Sequence, residues 1–495
     1  MESTNYKSLL LILLLLLTTV ATACQNTHEH TQPIPAATLL AVATTTPPLQ
    51  AIPSGSPTPR PTRRPPDVLT DTYTVTYGDT LISIAAVFGT SVETLMRENG
   101  LTDPDQLVIG QVLKIPLAAE ITGPDAILIP DSELVYGPAL ADFDVDAVIA
   151  ASSGWLKGYS DLLDYQTMTA AEIVRTIAMQ YSISPRLLLT LIEMESGGLT
   201  MQDPSPEIAA YPLGYVRDSW DGLAAQLMWA ADTLNAGFYG WLSESLWTFE
   251  LNDGTRVQFS PALNAGTAGI QYLLAQKHDY ASWQEELRLF SETYQQLWGT
   301  PFQYTVDPLL PLNLTLPTFA LPWSEGETWY LSSGPHGGWG NSSAWAALDF
   351  VTGERNIGCM QSQQWATAIA PGTIVVSHNG MVLEDLDNDG TIETGWVVLY
   401  MHMAEEDRVT PGTTVKTGDP IGHPSCEGGV SNASHLHLAR RYNGVWIAAD
   451  HTQWPFVLEG WTAASSGTAY DGTLQRDNVV KTAEESWSSR NAIAH

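Results

Sequence analysis

Hydrophobic and polar positions divide this chain into stretches of different period. Leu9 to Leu17 is an unbroken apolar run, shorter than the ~20 residues that a membrane-spanning helix needs. Residues 25–70 have no period; they are rich in Thr, Pro and Ala and end in PSGSPTPRPTRRPP. Such a segment cannot bury a core and predicts an extended spacer. From Tyr73 the texture changes. YTVTYGDTLISIAAVFGTSVETLMRENGLTDPDQLVIGQVLKIP (73–116) opens with strand alternation, and Gly78-Asp79-Thr80 can cap a helix starting near Leu81. A second amphipathic helix begins at Ser91 with Leu95 and Met96 inward, and VLKIP closes as a strand. Residues 118–154 show only local turns, as a connector would. From Ala170 the period becomes helical, with Ile173, Ile177, Leu188 and Ile192 at helical intervals. Ser184-Pro185 offers a cap and a first-turn proline. Residues 220–241 and 262–276 are also helical in pattern. A Pro/Leu/Thr-rich stretch, 303–323, predicts a linker packed on a neighbour. TAIAPGTIVVSHNG, GWVVLYMHM and HLHLARRYNGVWIAA then alternate between Gly-rich turns, an antiparallel β pattern. After about Thr462 the chain turns polar, predicting a disordered tail.

The expected organisation is therefore multidomain. It comprises 1–24 leader, 25–70 spacer, 71–117 small α+β module, 118–154 connector, 155–300 mainly α domain, 301–325 linker, 326–462 all-β domain and 463–495 tail. A length of 495 residues agrees with about three domains. MESTNYKSLLLILLLLLTTVATAC, with one Lys, an apolar core and small residues before Cys24, has the form of a secretory signal. Ala21-Thr22-Ala23-Cys24 resembles a bacterial lipobox, which would lipidate Cys24 and anchor the mature chain to a membrane. Ordinary cleavage after an A-x-A site is the alternative. The formal charge of −33 argues against nucleic acid or an anionic membrane surface as partner. Because only 15% of residues are charged, the imbalance comes from scarce Lys and Arg. Seventeen Trp and eighteen Tyr supply aromatic platforms of the kind that suit sugar rings, though many will be core. Beyond Cys24 only Cys359 and Cys426 remain. In an oxidising compartment the two suggest a disulfide, against the alternative of two independent buried thiols.

The chemistry concentrates in the last third. His336, Asp349, His402, His435 and His437 are the residue types of a catalytic zinc centre, which takes three protein ligands and leaves a fourth position open. SHLHLARR (434–441) alternates, so both imidazoles of His-Leu-His leave one face of a strand. His402 ends the strand-like run WVVLYMHM, and His336 lies in the turn-like SGPHGGWG.

SSGPHGGWGNSSAWAALDF is similar to the zinc-binding stretch of the beta-lytic branch of the lysostaphin-type metallopeptidases, where the first histidine follows Gly-Pro and precedes the aspartate by thirteen positions. Other members carry a compact His-x-x-x-Asp; Trp345 occupies that His position here. LYMHM resembles the family's strand with a catalytic histidine, and GHPSCEGG…SHLHL its closing motif. The resemblance covers roughly residues 326–460. It implies a split β-groove with zinc at its floor, His336, Asp349 and His437 as ligands, and His402 and His435 as catalytic groups.

Residues 73–116 resemble a LysM module over their full length. That family binds N-acetylglucosamine-containing glycans in a shallow groove, which makes Gly78, Asp79, Thr80, Leu81 and the stretch from Pro104 to Ile109 candidates. The alternative reading of Gly78-Asp79-Thr80 is a helix cap. In the helical region, Glu195-Ser196-Gly197 with Asn264-Ala265-Gly266 resembles the lysozyme-like lytic transglycosylases, whose glutamate is the general acid. YPLGYVR stands where the family carries a Gly-Leu-Met-Gln-like segment, and Glu193 rivals Glu195. A domain that only binds or spaces is therefore the alternative.

Asp385-Leu386-Asp387-Asn388-Asp389-Gly390 matches the start of a calcium loop, with Asp385, Asp387 and Asp389 as ligands. Trp396 stands where its closing Glu belongs, and a polar hairpin is the other reading. His378, His423 and His278 fit surface or supporting positions. Together these patterns predict an extracytoplasmic, cell-wall-associated zinc endopeptidase that cleaves peptidoglycan peptides while LysM holds glycan. Its rivals are a bifunctional enzyme also using Glu195 and a non-catalytic wall-binding regulator.

Overall fold

The computed structural model describes residues 70–88, 92–104, 106–116, 121–164, 166–354 and 358–495. The leader, Cys24 and nearly all of the spacer lie outside the described residues. Among the described residues no helix is long and apolar enough to cross a membrane.

The small N-terminal module pairs β1 (Thr70–Thr74) antiparallel with β2 (Val112–Pro116) around α1 (Leu81–Val87) and α2 (Val92–Asn99). Thr80 caps α1 through a capping box with Ser83. Leu81, Ile84, Leu95, Leu113 and Ile115 form its core.

The helical domain starts earlier than expected. β3 (Ile121–Thr122) and α3 (Val145–Ala151) belong to it, as does the hairpin β4 (Ser160–Leu163)–β5 (Gln166–Thr169). The segment expected to be a connector therefore contributes core: Ile129, Leu134 and Val135 are fully buried. The helices follow: α4 (Ala170–Tyr181), α5 (Pro185–Ser196), α6 (Pro206–Ala210), α7 (Leu223–Leu242), then β6 (Thr248–Glu250) and β7 (Arg256–Gln258), α8 (Ala265–Ala275) and α9 (Tyr280–Trp298). Ser184 caps α5 with Pro185 in its first turn, as its sequence predicts.

The C-terminal domain is built on β8 (Thr328–His336), β9 (Ala347–Val351), β10 (Ala366–Thr367), β11 (Gly372–His378), β12 (Met381–Asp385), β13 (Trp396–Met401), β14 (Thr414–Val415), β15 (Pro420–Gly422), β16 (Leu436–Tyr442) and β17 (Val445–Trp446). Its main sheet runs β14-β11-β12-β13-β16-β9-β8, antiparallel throughout, with β17 on β16. Both faces of this sheet are covered, which explains the continuous apolar run of β13. Val397, Leu399 and Met401 join the core of the helical domain. Val398 and Tyr400 point the other way, with Phe350, Leu438 and the linker residues Phe319, Leu321 and Trp323.

The polar tail is not disordered. Behind β18 (Val457–Leu458) it continues as β19 (Trp461–Ser465), β20 (Gly472–Arg476) and β21 (Val479–Thr482), and β22 (Ala492–Ala494) completes the main sheet beside β8. Buried Trp461, Leu474 and Ile493 pin it down.

Candidate metal centre

The main sheet brings the expected ligands together by register. His437 on β16 sits directly opposite Asp349 on β9, and His336 ends β8 beside them. Directly opposed residues share a face, so carboxylate and imidazole converge. Asp349 Oδ1 lies 3.1 Å from His437 Nδ1 and 3.3 Å from His336 Nε2. His336 Nε2 and His437 Nδ1 are 3.0 Å apart. Tetrahedral zinc with ligands at 2.0–2.1 Å separates its donor atoms by about 3.3 Å. The set fits that ion in donor chemistry and in spacing.

Backbone carbonyls orient each ring. His336 Nδ1 faces Gly334 O at 2.8 Å, and His437 Nε2 faces Gly338 O at 3.1 Å. A proton on each of those nitrogens leaves the opposite nitrogen, the one aimed at Asp349, free to bind metal. Burial works against charge on Asp349, but His336 and His435 more than offset it and hold its carboxyl well below the usual range. Burial also lowers His437, whereas Asp349 outweighs burial at His336 and raises it.

The two remaining histidines stand on the open side. His402 follows β13 in a left-handed conformation, φ +68°, and its Nδ1 is 3.0 Å from Glu427 O, so Nε2 faces the site. Burial, with His435 and His437 nearby, pushes His402 down to about 3, and it is a neutral base at pH 7. His435 Nδ1 rests on Ala433 O at 2.8 Å, and its Nε2 lies 3.8 Å from Asp349. The His402 and His435 rings are 4.4 Å apart.

One neighbour escaped sequence reasoning. Tyr470, from the tail, stacks on His336. Burial and the charge of Asp349 raise its phenol, which remains a donor at neutral pH. Its only sequence signal was a tyrosine in a polar, turn-rich segment.

Several expected sites fare differently. Cys359 and Cys426 are joined, with Cα atoms 5.1 Å apart. Leu81 is 1% exposed and packed in the core, so its side chain offers no glycan surface. Asp79 accepts from Thr76 N–H and Tyr73 O–H, bracing the turn before α1, while Gly78 adopts φ +95°. Thr80 is the cap. Ile109, like Val108 and Tyr77, is largely exposed. Glu195 is ion-paired through one oxygen with the part-buried Lys277, whose ammonium also donates to Leu213 O at 2.8 Å. The ammonium thus occupies one oxygen of that carboxylate. Asp385, Asp387 and Asp389 do gather within 4.8 Å. Yet Asp385 spends its oxygens on the N–H groups of Asp387, Asn388 and Gly390, and Asp389 turns to Thr391 and Thr394. Trp396, in place of a closing carboxylate, is buried with its indole N–H on Thr315 O. The loop is a self-satisfied hairpin between β12 and β13, and calcium finds no support. His423 packs at a tilt against Trp365 outside the cluster.

Comparison with known proteins agrees with this layout. The LysM domain family matches residues 73–116, and the LasA N-terminal domain family matches residues 127–313. The latter covers the helical domain, for which the lysozyme-like expectation finds no support. Protease LasA of Pseudomonas aeruginosa is 26% identical over 344 residues, spanning 65% of this chain and 75% of the relative. N-acetylmuramoyl-L-alanine amidase XlyB of Bacillus subtilis is 53% identical over 47 residues, 10% of this chain and 15% of its own. Among solved structures, the M23 metalloprotease pseudoalterin from the deep sea is 23% identical, covering 34% of this chain and 96% of its own, with a TM-score of 0.27.

Proposed function

The chain is a LasA-like peptidase of the lysostaphin-type family carrying a LysM domain, and from that premise we propose how this zinc metalloendopeptidase acts on peptidoglycan. It cuts peptide bonds of the wall's stem or cross-bridge peptides while the LysM module holds the N-acetylglucosamine-containing glycan. The observation that carries the reading is the convergence of His336 Nε2, Asp349 Oδ1 and His437 Nδ1 within 3.3 Å of one another, with two further histidines on the open side.

Bound between those three atoms, zinc would polarise the scissile carbonyl and acidify a water molecule. The rest falls to the chain. His402 Nε2, held by the Glu427 carbonyl behind it, accepts the proton of the attacking water and passes it to the leaving amine. His435 and the Tyr470 hydroxyl line the side where the tetrahedral oxyanion develops and stabilise it by hydrogen bonds. Gly334 and Gly338 carbonyls keep the two ligand rings from rotating. The intact ligand set argues against a non-catalytic wall-binding regulator, and the Glu195–Lys277 pair against a second, glycan-cleaving activity.

The disulfide suits an oxidising, extracytoplasmic compartment, and attachment through a lipidated Cys24 belongs to the same reading. Mass spectrometry of fragments from purified sacculi tests it. Wild type should release products with new peptide N-termini, and His437→Ala should release none. Products with new reducing or anhydro-sugar ends that survive in His437→Ala would overturn it.

A further inference from the structure

We infer that Asp232, in the helical domain, is a positioning residue of the zinc centre: it grips the 340–342 loop and through it fixes the carbonyl that sets the tautomer of His437. The inference rests on the zinc reading above.

The sheet face that carries His437 also carries Ala439 and Arg441, and it is the face on which the helical domain packs. Helix α7 presents Asp232 and Tyr239, two turns apart, along the contact. Asp232 Oδ1 accepts the N–H groups of Asn341 and Ser342, both at 3.0 Å, and Oδ2 accepts the Ser342 hydroxyl at 2.9 Å. Three donors from one loop thus end on one carboxylate of another domain. The close approach requires Gly340. Its φ is +64°, and a Cβ there would lie 2.5 Å from Asp232 Oδ1 and 2.8 Å from the Tyr181 ring.

The gripped loop leads straight to the metal. Trp339 N–H donates to Ser343 Oγ, which donates back to Trp339 O, closing a tight turn. On its other side Gly338 lies on the Trp446 indole, where a Cβ would come within 2.6 Å. Trp446 is itself held by the helical domain: its N–H donates to Tyr239 Oη at 2.9 Å and its indole N–H points at Tyr181 O at 3.4 Å. Gly338 is therefore clamped between a tryptophan braced by α4 and α7 and a loop tied to Asp232. Its carbonyl is the partner of His437 Nε2. With that carbonyl fixed, Nε2 carries the proton and Nδ1 stays free for metal. With it loose, His437 can take the other tautomer and lose its ligand nitrogen. Partners of this kind are worth about 10- to 100-fold in metal affinity.

The test uses the full chain and two readouts: zinc affinity by competition with a chromophoric chelator, and the ¹⁵N imidazole signals of His437 in the metal-free protein. Asp232→Ala should keep its far-UV circular dichroism, weaken zinc about 10- to 100-fold and mix the two His437 tautomers. Asp232→Asn, which retains one acceptor oxygen, should restore most of both. If Asp232→Ala does not fold, Asp232→Asn and Ser342→Ala decide, each expected to show a smaller loss in the same direction. Folded variants with wild-type zinc affinity and an unchanged Nε2–H signal would overturn the inference. A wild type that binds no zinc would instead overturn the zinc reading, and the tautomer comparison alone would then decide Asp232.

Discussion

The ring of Tyr470 lies 4.5 Å from that of His336, centroid to centroid, with planes 21° apart. Two backbone hydrogen bonds fix the approach: Gly334 N–H donates to Tyr470 O at 2.6 Å and Tyr470 N–H donates to Pro335 O at 3.2 Å. The tail is thereby zipped onto the Gly-Pro-His loop. Tyr470→Phe keeps the stacked ring but loses the hydroxyl. It should bind zinc like wild type while kcat falls about 10²- to 10³-fold, as when an oxyanion donor is lost. Steady-state kinetics with metal analysis checks this; full turnover would remove the phenol from the mechanism.

On the proposed mechanism the five-residue centre separates into holders and actors. His437→Ala should abolish stoichiometric zinc, because it removes a donor 3.1 Å from Asp349 and leaves a buried carboxylate partly unpaired. His402→Ala should retain zinc and lose about 10²- to 10⁴-fold in turnover, the worth of a positioned general base. Elemental analysis of both variants decides. A His402→Ala protein without zinc would reverse the role assignment.

How far the site was legible follows from period. His435, His437 and Asp349 were readable because β9 and β16 are regular, and alternation fixes which side chains share a face. His336 needed more, since β8 is irregular between Ser333 and His336 and spacing alone does not place it. Tyr470 was illegible: short strands around it bury few residues, so β19 and β20 look polar although Trp461 and Leu474 anchor them. Residues 121–154 were misread for a similar reason. Their buried side chains come from 3₁₀ turns, a bridge and one seven-residue helix, too short for a period to show. Nor can periodicity reveal Asp232, whose importance is a contact between elements more than 100 residues apart in sequence.

The Cys359–Cys426 bond closes a separation of 67 residues, and the residue after Cys426 is the one whose carbonyl orients His402. Replacing both cysteines by alanine should cost about 2–4 kcal/mol of stability. It should also lower kcat more than it raises KM, because Glu427 then holds the His402 ring less firmly. Thermal unfolding and steady-state kinetics of the double variant measure the two effects. A loss of stability with unchanged kcat would confine the bond to a structural role.

Glu384 on β12 gives the fold a pH dependence separate from the metal centre. Its side chain is fully buried, its Oε2 accepts the Tyr400 hydroxyl at 2.7 Å, and its Oε1 has no hydrogen-bond partner among the described residues. Burial pushes this carboxyl up to about 7 from an ordinary 4.5. The raised value fixes the sign. Below pH 4.5 the group is protonated in both folded and unfolded chains and costs nothing. Between pH 4.5 and 7 the unfolded chain ionises while the folded state keeps the proton, so stability is progressively lost across that window and the loss levels off above 7. At 1.36 kcal/mol per pH unit, the shift corresponds to about 3 kcal/mol by pH 8. Glu384→Gln preserves shape and the acceptor for Tyr400 but cannot ionise. Relative to wild type it should be nearly neutral at pH 4.5 and more stable by about 2–4 kcal/mol at pH 8. Urea unfolding of both proteins across that range isolates the difference, since the histidines titrate alike in each. Parallel stability curves would show that Glu384 does not titrate in this window.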